Sequence, residues 1–355
     1  MILMVLEEVT TAVGSSNIAL TKYWGKRNEK LILPTNSSLS MTLDEGMHTR
    51  TSVLFSDRIG SDMFYLNGVK QDFNDKDVLE RFVIIDELRK VAGTKARAFV
   101  ASHNNFPTAA GFASSAAGIA TLVYAATKAL DLSITTKEMS IIARQGSGSS
   151  CRSLLGGFVK WRKGEMPDGL DSYAEQIADE KHWPEVIDIV AIIAESKKKV
   201  SSRSGMKQTV ETSMLYRNRP QIAEQMTDRL AEAIEERDFD TLADITMRES
   251  NSLHAVMMDT YPPIIYLNDV SRAVIGAVNE LNESEGRKIC AYTFDAGPNA
   301  QIITLERHKD RVLKMLSSLG GITKTVVAEQ GSGPRVVGSE YSLIDSAEMK
   351  PMAYK

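Results

Sequence analysis

Apolar positions along this chain recur with two periods, and those periods mark out its elements. Residues 9–13, 39–42 and 49–55 are short apolar-rich runs that read as strands, and residues 64–66 followed by Asn67-Gly68 read as a hairpin. Residues 77–91 carry Leu79, Phe82, Val83, Ile85 and Leu88 near helical spacing, which predicts a helix with one apolar face. A strand over 96–101 precedes an Ala/Leu/Val-rich helix over 116–130, then a helix over 135–144 and a strand over 157–161. Residues 164–184 are turn-rich and mixed in charge, so they read as a connection. A nearly continuous apolar strand over 187–194 opens the second half. Residues 221–236 place Ile222, Met226, Leu230 and Ile234 four apart, predicting an amphipathic helix with those residues inside. A helix over 239–258 runs until Tyr261-Pro262-Pro263 stops it. A helix over 264–281, a strand over 301–305, a helix over 312–319 and a last strand over 323–328 complete the pattern. The polar tail from Ser342 reads as loosely held.

Strands and helices mixed over 355 residues suit an α+β protein of two domains, taken as 1–186 and 187–355. A hydrophobic content of 43% is enough for two cores, and the formal charge of −4 gives no basic excess for nucleic acid or a membrane surface. Met1 to Leu6 is apolar but is cut short by Glu7 and Glu8, so neither a secretory signal nor a membrane span is expected. Only Cys151 and Cys290 are present, far apart, which fits reduced thiols and a cytoplasmic setting. Five scattered histidines offer no zinc spacing.

Candidate chemistry concentrates in two small-residue stretches. The first runs from Asn104 through Phe106-Pro107-Thr108-Ala109-Ala110-Gly111 to Ser114-Ser115, just ahead of the 116–130 helix. Serines there suit helix N-caps, and small residues let backbone N–H groups approach an anion at the positive end of the helix dipole. A capped helix without a ligand fits the same residues. The second stretch, Gly146-Ser147-Gly148-Ser149-Ser150-Cys151-Arg152, adds an arginine able to grip phosphate or carboxylate with two prongs. Two anion-friendly loops suggest a substrate charged at both ends, or two charged substrates.

Three further features stay open on residue type alone. Lys22 and Lys26 flank Tyr23 and Trp24, which suits either a basic patch lying over aromatic surface or two cations over an anion. Lys197-Lys198-Lys199 suits a solvated turn, and Asp295 in Asp295-Ala296-Gly297-Pro298 suits a turn carboxylate.

Taken in order, these stretches resemble the diphosphomevalonate decarboxylases of the GHMP kinase superfamily. The resemblance runs from Asn17-Ile18-Ala19 and Lys22 to Arg27, through Leu33 to Ser40, both small-residue stretches, Gly205-Met206, Ser250-Asn251-Ser252 with His254-Ala255, and Asp259 to Ile264, to Ala291 through Ala300. It implies a two-domain GHMP kinase fold, with an amino-terminal domain like the second domain of ribosomal protein S5 and a ferredoxin-like carboxyl-terminal domain. It also implies a homodimer, and a cleft between the domains where ATP drives decarboxylation of mevalonate 5-diphosphate to isopentenyl diphosphate. A phosphomevalonate decarboxylase or a mevalonate 3-kinase of the same superfamily is the neighbouring reading. A non-catalytic relative would be expected to lack Asp295 or the phosphate loop.

By the same likeness Asp295 stands beside the C3 hydroxyl, Lys22 beside Asp295, and Arg152 and Asn17 at the substrate carboxylate. Tyr23, Trp24, Gly25, Lys26, Ser147, Gly148, Ser149, Ser150, Cys151 and Thr209 match substrate positions. Asn104, Ala109, Ala110, Gly111, Ser114, Ser115, Lys197, Ser202 and Met206 match ATP positions, with Ser115 nearest Mg2+. Two positions depart from the pattern. Ser150 stands where relatives have alanine, adding a hydroxyl near the diphosphate. Asp77, beside Lys76, stands where relatives have an arginine for the diphosphate; Lys76 or Arg81 is the available substitute, although a lysine lacks the two-pronged geometry.

Overall fold

The computed structural model describes residues 8–105, 114–193 and 200–354, without the side chains of Asp77, Arg81 and Ser114. Three main sheets organise these residues. The first has the order Arg335–Val337, Thr10–Ser15, His48–Ser56, Arg97–Asn104, Met63–Leu66, Val69–Lys70. The second has the order Ala174–Ala178, Phe158–Trp161, Ser38–Thr42, Asn17–Ala19, and the third Cys290–Phe294, Ala300–Leu305, Val186–Ile192, Lys324–Ala328. Within these sheets every pairing is antiparallel except that of Met63–Leu66 with Arg97–Asn104. The strand Thr10–Ser15 passes to Asn17–Ala19 with one residue between, so Asn17 stands where the first sheet gives way to the second.

Burial explains the layers. The helices Lys76–Ala92 and Ser114–Ala129 cover one face of the first sheet, with Phe82, Ile85, Ile119 and Val123 against Ala12, Val53, Phe55 and Val100. Residues along Val186–Ile192 alternate between two buried faces, which is why that run is apolar but for Asp188. Ile187, Ile189 and Ala191 meet Val274, Val278, Val312 and Leu316 from the helices Asp269–Ser284 and Lys309–Ser317. Val186, Val190 and Ile192 join Ile18, Leu39, Met41 and Phe158 of the second sheet, together with Leu230, Ile234, Leu242 and Ile245. That shared core ties the two halves together. No described helix is long and apolar enough to cross a membrane.

The structure departs from the sequence pattern in instructive places. Leu79 is exposed, and so is Ile222. The helix Arg219–Glu235 instead buries Ala223, Thr227, Leu230 and Ile234, because steps of four residues overshoot a 3.6-residue turn and drift off the apolar face. The helix expected from residue 264 begins at Asp269, where Asn268 forms a capping box with Ser271. A strand, Ala174–Ala178, lies within the expected connection, and Cys290–Phe294 is a strand that the pattern did not mark. Residues after 328 were expected to form no strand, yet Arg335–Val337 pairs with Thr10–Ser15 of the first sheet. The tail is not loose at Leu343 and Ile344, which are buried against Leu54, Phe99 and Ala101.

Two stability predictions follow from this packing. Leu343→Ala is expected to cost about 2–5 kcal/mol by cavity formation, whereas Leu79→Ala stays within about 0.5 kcal/mol, both read by urea unfolding. Asp188 is fully buried on the face of its strand shared with Val190, where Gln301 directs its amide at the carboxyl. Burial, with a smaller push from the Asp295 charge, raises its pKa to about 8. The folded state therefore favours the protonated acid, a contribution complete below the unfolded value and lost as pH rises through about 8. Asp188→Asn is expected to gain on the parent in melting temperature between about pH 4 and pH 8, and to hold a constant difference above that range; a difference that does not change with pH would refute this.

Candidate active site

After Ala19 the chain leaves the second sheet and runs without regular structure as far as Gly25. Lys22 lies within this stretch and is buried. Its ammonium donates to the Ala19 carbonyl at 2.6 Å and to Asp295 Oδ1 at 2.8 Å, joining residues 273 apart in sequence. Asp295 follows the strand Cys290–Phe294 and sits in a turn closed by the Gly297 N–H on its own carbonyl at 2.7 Å. Burial pulls the Lys22 pKa down, and Asp295 followed by Glu249 pulls it back up. The Asp295 carboxylate keeps partial access to solvent.

Arg152 is also buried, in the 3-10 segment Gly148–Leu154. Its guanidinium donates to Ser40 Oγ at 2.9 Å, Ser38 Oγ at 2.6 Å and Asn17 Oδ1 at 3.3 Å. Asn17 is itself held by Nδ2 bonds to Ser153 Oγ at 2.7 Å and the Ser149 carbonyl at 3.3 Å. No carboxylate among the described residues forms an ion pair with Arg152, although the Asp295 charge lies near enough to act on it.

The two small-residue stretches converge, with Ser115 Oγ 3.4 Å from Ser147 Oγ. Ser114 and Ser115 are the first helical residues of Ser114–Ala129 and not residues ahead of it. The second stretch is a 3-10 turn and not an open loop. Inside it the Ser150 hydroxyl is buried and bonded to the Ala143 and Ser147 carbonyls at 2.7 and 2.6 Å, which corrects the expectation of an added hydroxyl for the diphosphate. The Cys151 thiol is likewise turned inward, bonded to the Gly148 carbonyl, and burial pushes it up to about 12. Gly148 admits no side chain, since a Cβ there would stand 2.7 Å from Tyr23 Cε1 and 2.9 Å from the Trp161 ring. Tyr23 packs edge-on against Trp161, and its hydroxyl is buried with no partner among the described residues. Ser147 and Ser149 are partly exposed.

Several other matched residues are packed in the interior. Trp24 is buried with Met206, Leu253, Met257 and Ile264, and its indole N–H donates to Thr209 Oγ1 at 3.1 Å, which meets Thr260 Oγ1 at 2.8 Å. Thr209 and Met206 therefore hold Trp24, and Thr209 is wholly buried, so it presents no surface to a substrate. Gly25 has φ near +122°, and the Tyr216 hydroxyl occupies the space of its missing Cβ. Lys26 does not join Lys22 as a second cation; it pairs with Glu29 at 2.5 Å. Asn104 is buried, with its amide oxygen taken by Thr49 Oγ1 at 2.6 Å. Ser202 opens the helix Ser202–Thr212 and is partly exposed. Ala109, Ala110, Gly111 and Lys197 lie outside the described residues, as do the side chains of Asp77, Arg81 and Ser114.

Several residues at the site carried no expected role. Ser38 and Ser40 alternate with Leu39 and Met41 and so share one face of a strand, a period-2 signal visible in the sequence. Glu249 falls on the buried face of the helix Phe239–Met258 with Leu242, Ile245, Thr246 and Leu253, where a carboxylate needs a partner. His254, on the same helix, meets the Phe294 ring edge-on at 6.1 Å, and burial lowers its pKa to about 4. Among the described residues no cluster of three His, Cys, Asp or Glu side chains is arranged to hold a metal ion.

The comparisons with known proteins agree in direction. Residues 14–174 match the diphosphomevalonate decarboxylase-like N-terminal domain, and residues 188–350 match the mevalonate 5-diphosphate decarboxylase C-terminal domain. The chain is 42% identical to the diphosphomevalonate decarboxylase of Schizosaccharomyces pombe over 95% of this chain and 96% of that protein. It is 44% identical to that of Danio rerio over 84% and 76%. Among solved structures, mevalonate diphosphate decarboxylase from Trypanosoma brucei superposes with a TM-score of 0.87 at 34% identity, covering 95% of this chain and all of that one. A complex described as MDDEF with MVAPP, AMPPCP and magnesium superposes with a TM-score of 0.84 at 37% identity, covering 93% and 99%. The α+β fold expected from the sequence is the fold of these neighbours. With both family models matched in order and together spanning most of its length, the chain belongs to the diphosphomevalonate decarboxylase family.

Proposed function

We propose that this chain catalyses the ATP-dependent decarboxylation of (R)-5-diphosphomevalonate to isopentenyl diphosphate, with release of ADP, phosphate and CO2, and that Asp295, Lys22, Arg152 and Asn17 carry the reaction. The observation supporting this most strongly is the meeting of Asp295 with Lys22 at 2.8 Å beside a buried arginine that has no carboxylate partner among the described residues.

Asp295 takes or orients the proton of the C3 hydroxyl, whose oxygen attacks the γ-phosphoryl group of ATP. Lys22 pairs with Asp295 and faces the charge on the transferred group, in a transfer governed by position and electrostatics. The C3–O bond then breaks with its electron pair going to phosphate. The C1–C2 bond breaks as CO2 departs, and its electrons form the C2–C3 double bond. Arg152 and Asn17 hold the carboxylate until that step. Because three neutral oxygens position the guanidinium, it can add a charged partner without giving up an existing ion pair.

Tyr23, Ser147 and Ser149 receive the diphosphate, and the unpartnered Tyr23 hydroxyl suits a phosphate oxygen. Ser115 and Ser202 face the nucleotide, and the first turn of Ser114–Ala129 presents its dipole there. The Ser115 hydroxyl is the kind of oxygen donor that Mg2+ takes and would be its protein ligand; when bound, the ion would neutralise charge on the phosphates. Residues 1–186 supply the phosphate cradle and residues 187–355 supply Asp295, with Arg335–Val337 returning to the first sheet. A cytoplasmic homodimer belongs to this reading.

Offered mevalonate, its 5-phosphate and its 5-diphosphate separately with ATP, the enzyme is expected to yield ADP and CO2 in equal amounts from the 5-diphosphate alone. ADP without CO2 would indicate a 3-kinase, and CO2 from the 5-phosphate a monophosphate enzyme. Asp295→Ala is expected to lower turnover by about 10³-fold or more while ATP binding stays nearly intact. Near-normal CO2 release from that variant would remove Asp295 from its role. Arg152→Lys is expected to weaken use of the diphosphate substrate more than nucleotide binding; equal losses in the two titrations would count against the assignment.

A further inference from the structure

The reactive lysine lies in a stretch with no strand or helix to fix it, so something else holds its backbone. Two side chains do. The Lys22 carbonyl accepts from Asn36 Nδ2 at 3.1 Å, and the Lys22 N–H donates to Glu249 Oε2 at 3.1 Å. Glu249 comes from the helix Phe239–Met258 in the second half of the chain, so this contact crosses between the halves. The same Oε2 accepts from Arg219 Nη2 at 3.3 Å, and both side chains of that pair are 1% exposed. Arg219 Nε and Nη1 have no partner among the described residues, so this buried pair is not part of a wider structural salt-bridge network.

We propose that Glu249 is a positioning residue for the reaction: it fixes the Lys22 backbone beneath the ion pair, and its negative charge supports the Lys22 ammonium opposite Asp295. The inference rests on the reading of Lys22 given above. A buried ammonium needs nearby negative charge to stay protonated. Asp295 supplies it from the turn after Cys290–Phe294, and Glu249 supplies it from the long helix. Arg152 opposes both from the 3-10 segment, with Asp188 on the third sheet and His254 on the helix of Glu249 as the remaining titratable neighbours. Burial already draws the Lys22 pKa down, and the Glu249 charge works in the opposite direction. Removing that charge lowers it further, so a reaction that requires protonated Lys22 fails at a lower pH.

Glu249→Gln removes the charge and keeps an oxygen for the Lys22 N–H; Glu249→Asp keeps the charge and shortens the reach. For Glu249→Gln, kcat is expected to fall about tenfold at neutral pH, with KM for ATP within about twofold and the alkaline limb of the kcat profile displaced toward acid by about half a unit or more. Glu249→Asp is expected to lose kcat with its alkaline limb unmoved. If Glu249→Gln fails to fold because Arg219 is left unpaired, the double variant Glu249→Gln/Arg219→Met gives the same readout. A folded Glu249→Gln or double variant with parental kcat and an unmoved limb would overturn the proposal, even if its melting temperature drops. Lys22→Met separates the two claims. Normal turnover in Lys22→Met would remove the lysine's own role, whereas an inactive Lys22→Met beside an unaffected Glu249→Gln would remove only the role of Glu249.

Discussion

The ion pair between Lys22 and Asp295 is the contact on which the rest of this structure depends. Each member comes from a different half of the chain, and the lysine is almost completely buried. Taking such a charge out of water costs several kcal/mol, a cost that the Ala19 carbonyl and Asp295 offset at close range. The pair in turn depends on the apolar core that joins the second and third sheets. Leu39, Met41 and Phe158 meet Val190, Ile192 and Ile303 there, which holds the strand end that bears Asp295 in register with the turn that bears Lys22. Steric packing delivers a distance on which the electrostatics rely.

Around that pair the protein uses neutral groups to aim charged ones. Ser38, Ser40 and Asn17 orient Arg152 without cancelling its charge. Close packing does the same for the aromatics. Tyr23 and Trp161 fill the space above Gly148, and Tyr216 fills the space beside Gly25. Thr209 and Met206, from the second half, hold Trp24 from the first. Trp24 and Thr209, which match substrate positions by family likeness, are thus buried in the packing behind the chain that carries Lys22.

Local rules carried the sequence reading a long way. Asn67-Gly68 sits in the turn that the dipeptide predicts, both residues at positive φ, and the helix expected over 135–144 is Thr136–Gly146. The helix Phe239–Met258 has the limits that its periodicity and the prolines after it suggest. Failures came where a position's meaning depends on what lies opposite. Leu79 has the right spacing and no core above it. Ser150 has a hydroxyl, but nearby carbonyls claim it. Arg335–Val337 became a strand because an open edge of the first sheet was available to it, which no local pattern records.

The order of residue types along the chain determined the elements, the two small-residue stretches, the candidate acid and lysine, and the family likeness. These are properties of neighbours in sequence, where periodicity, capping and turn chemistry act over a few residues. Tertiary structure alone decided that Lys22 meets Asp295 across 273 residues, that Glu249 and Asn36 grip the lysine backbone, and that Cys151 and Thr209 are buried beneath the site. Such contacts join residues that no local interaction brings together; they form when buried apolar area closes the chain on itself, and the polar groups caught inside must then find partners.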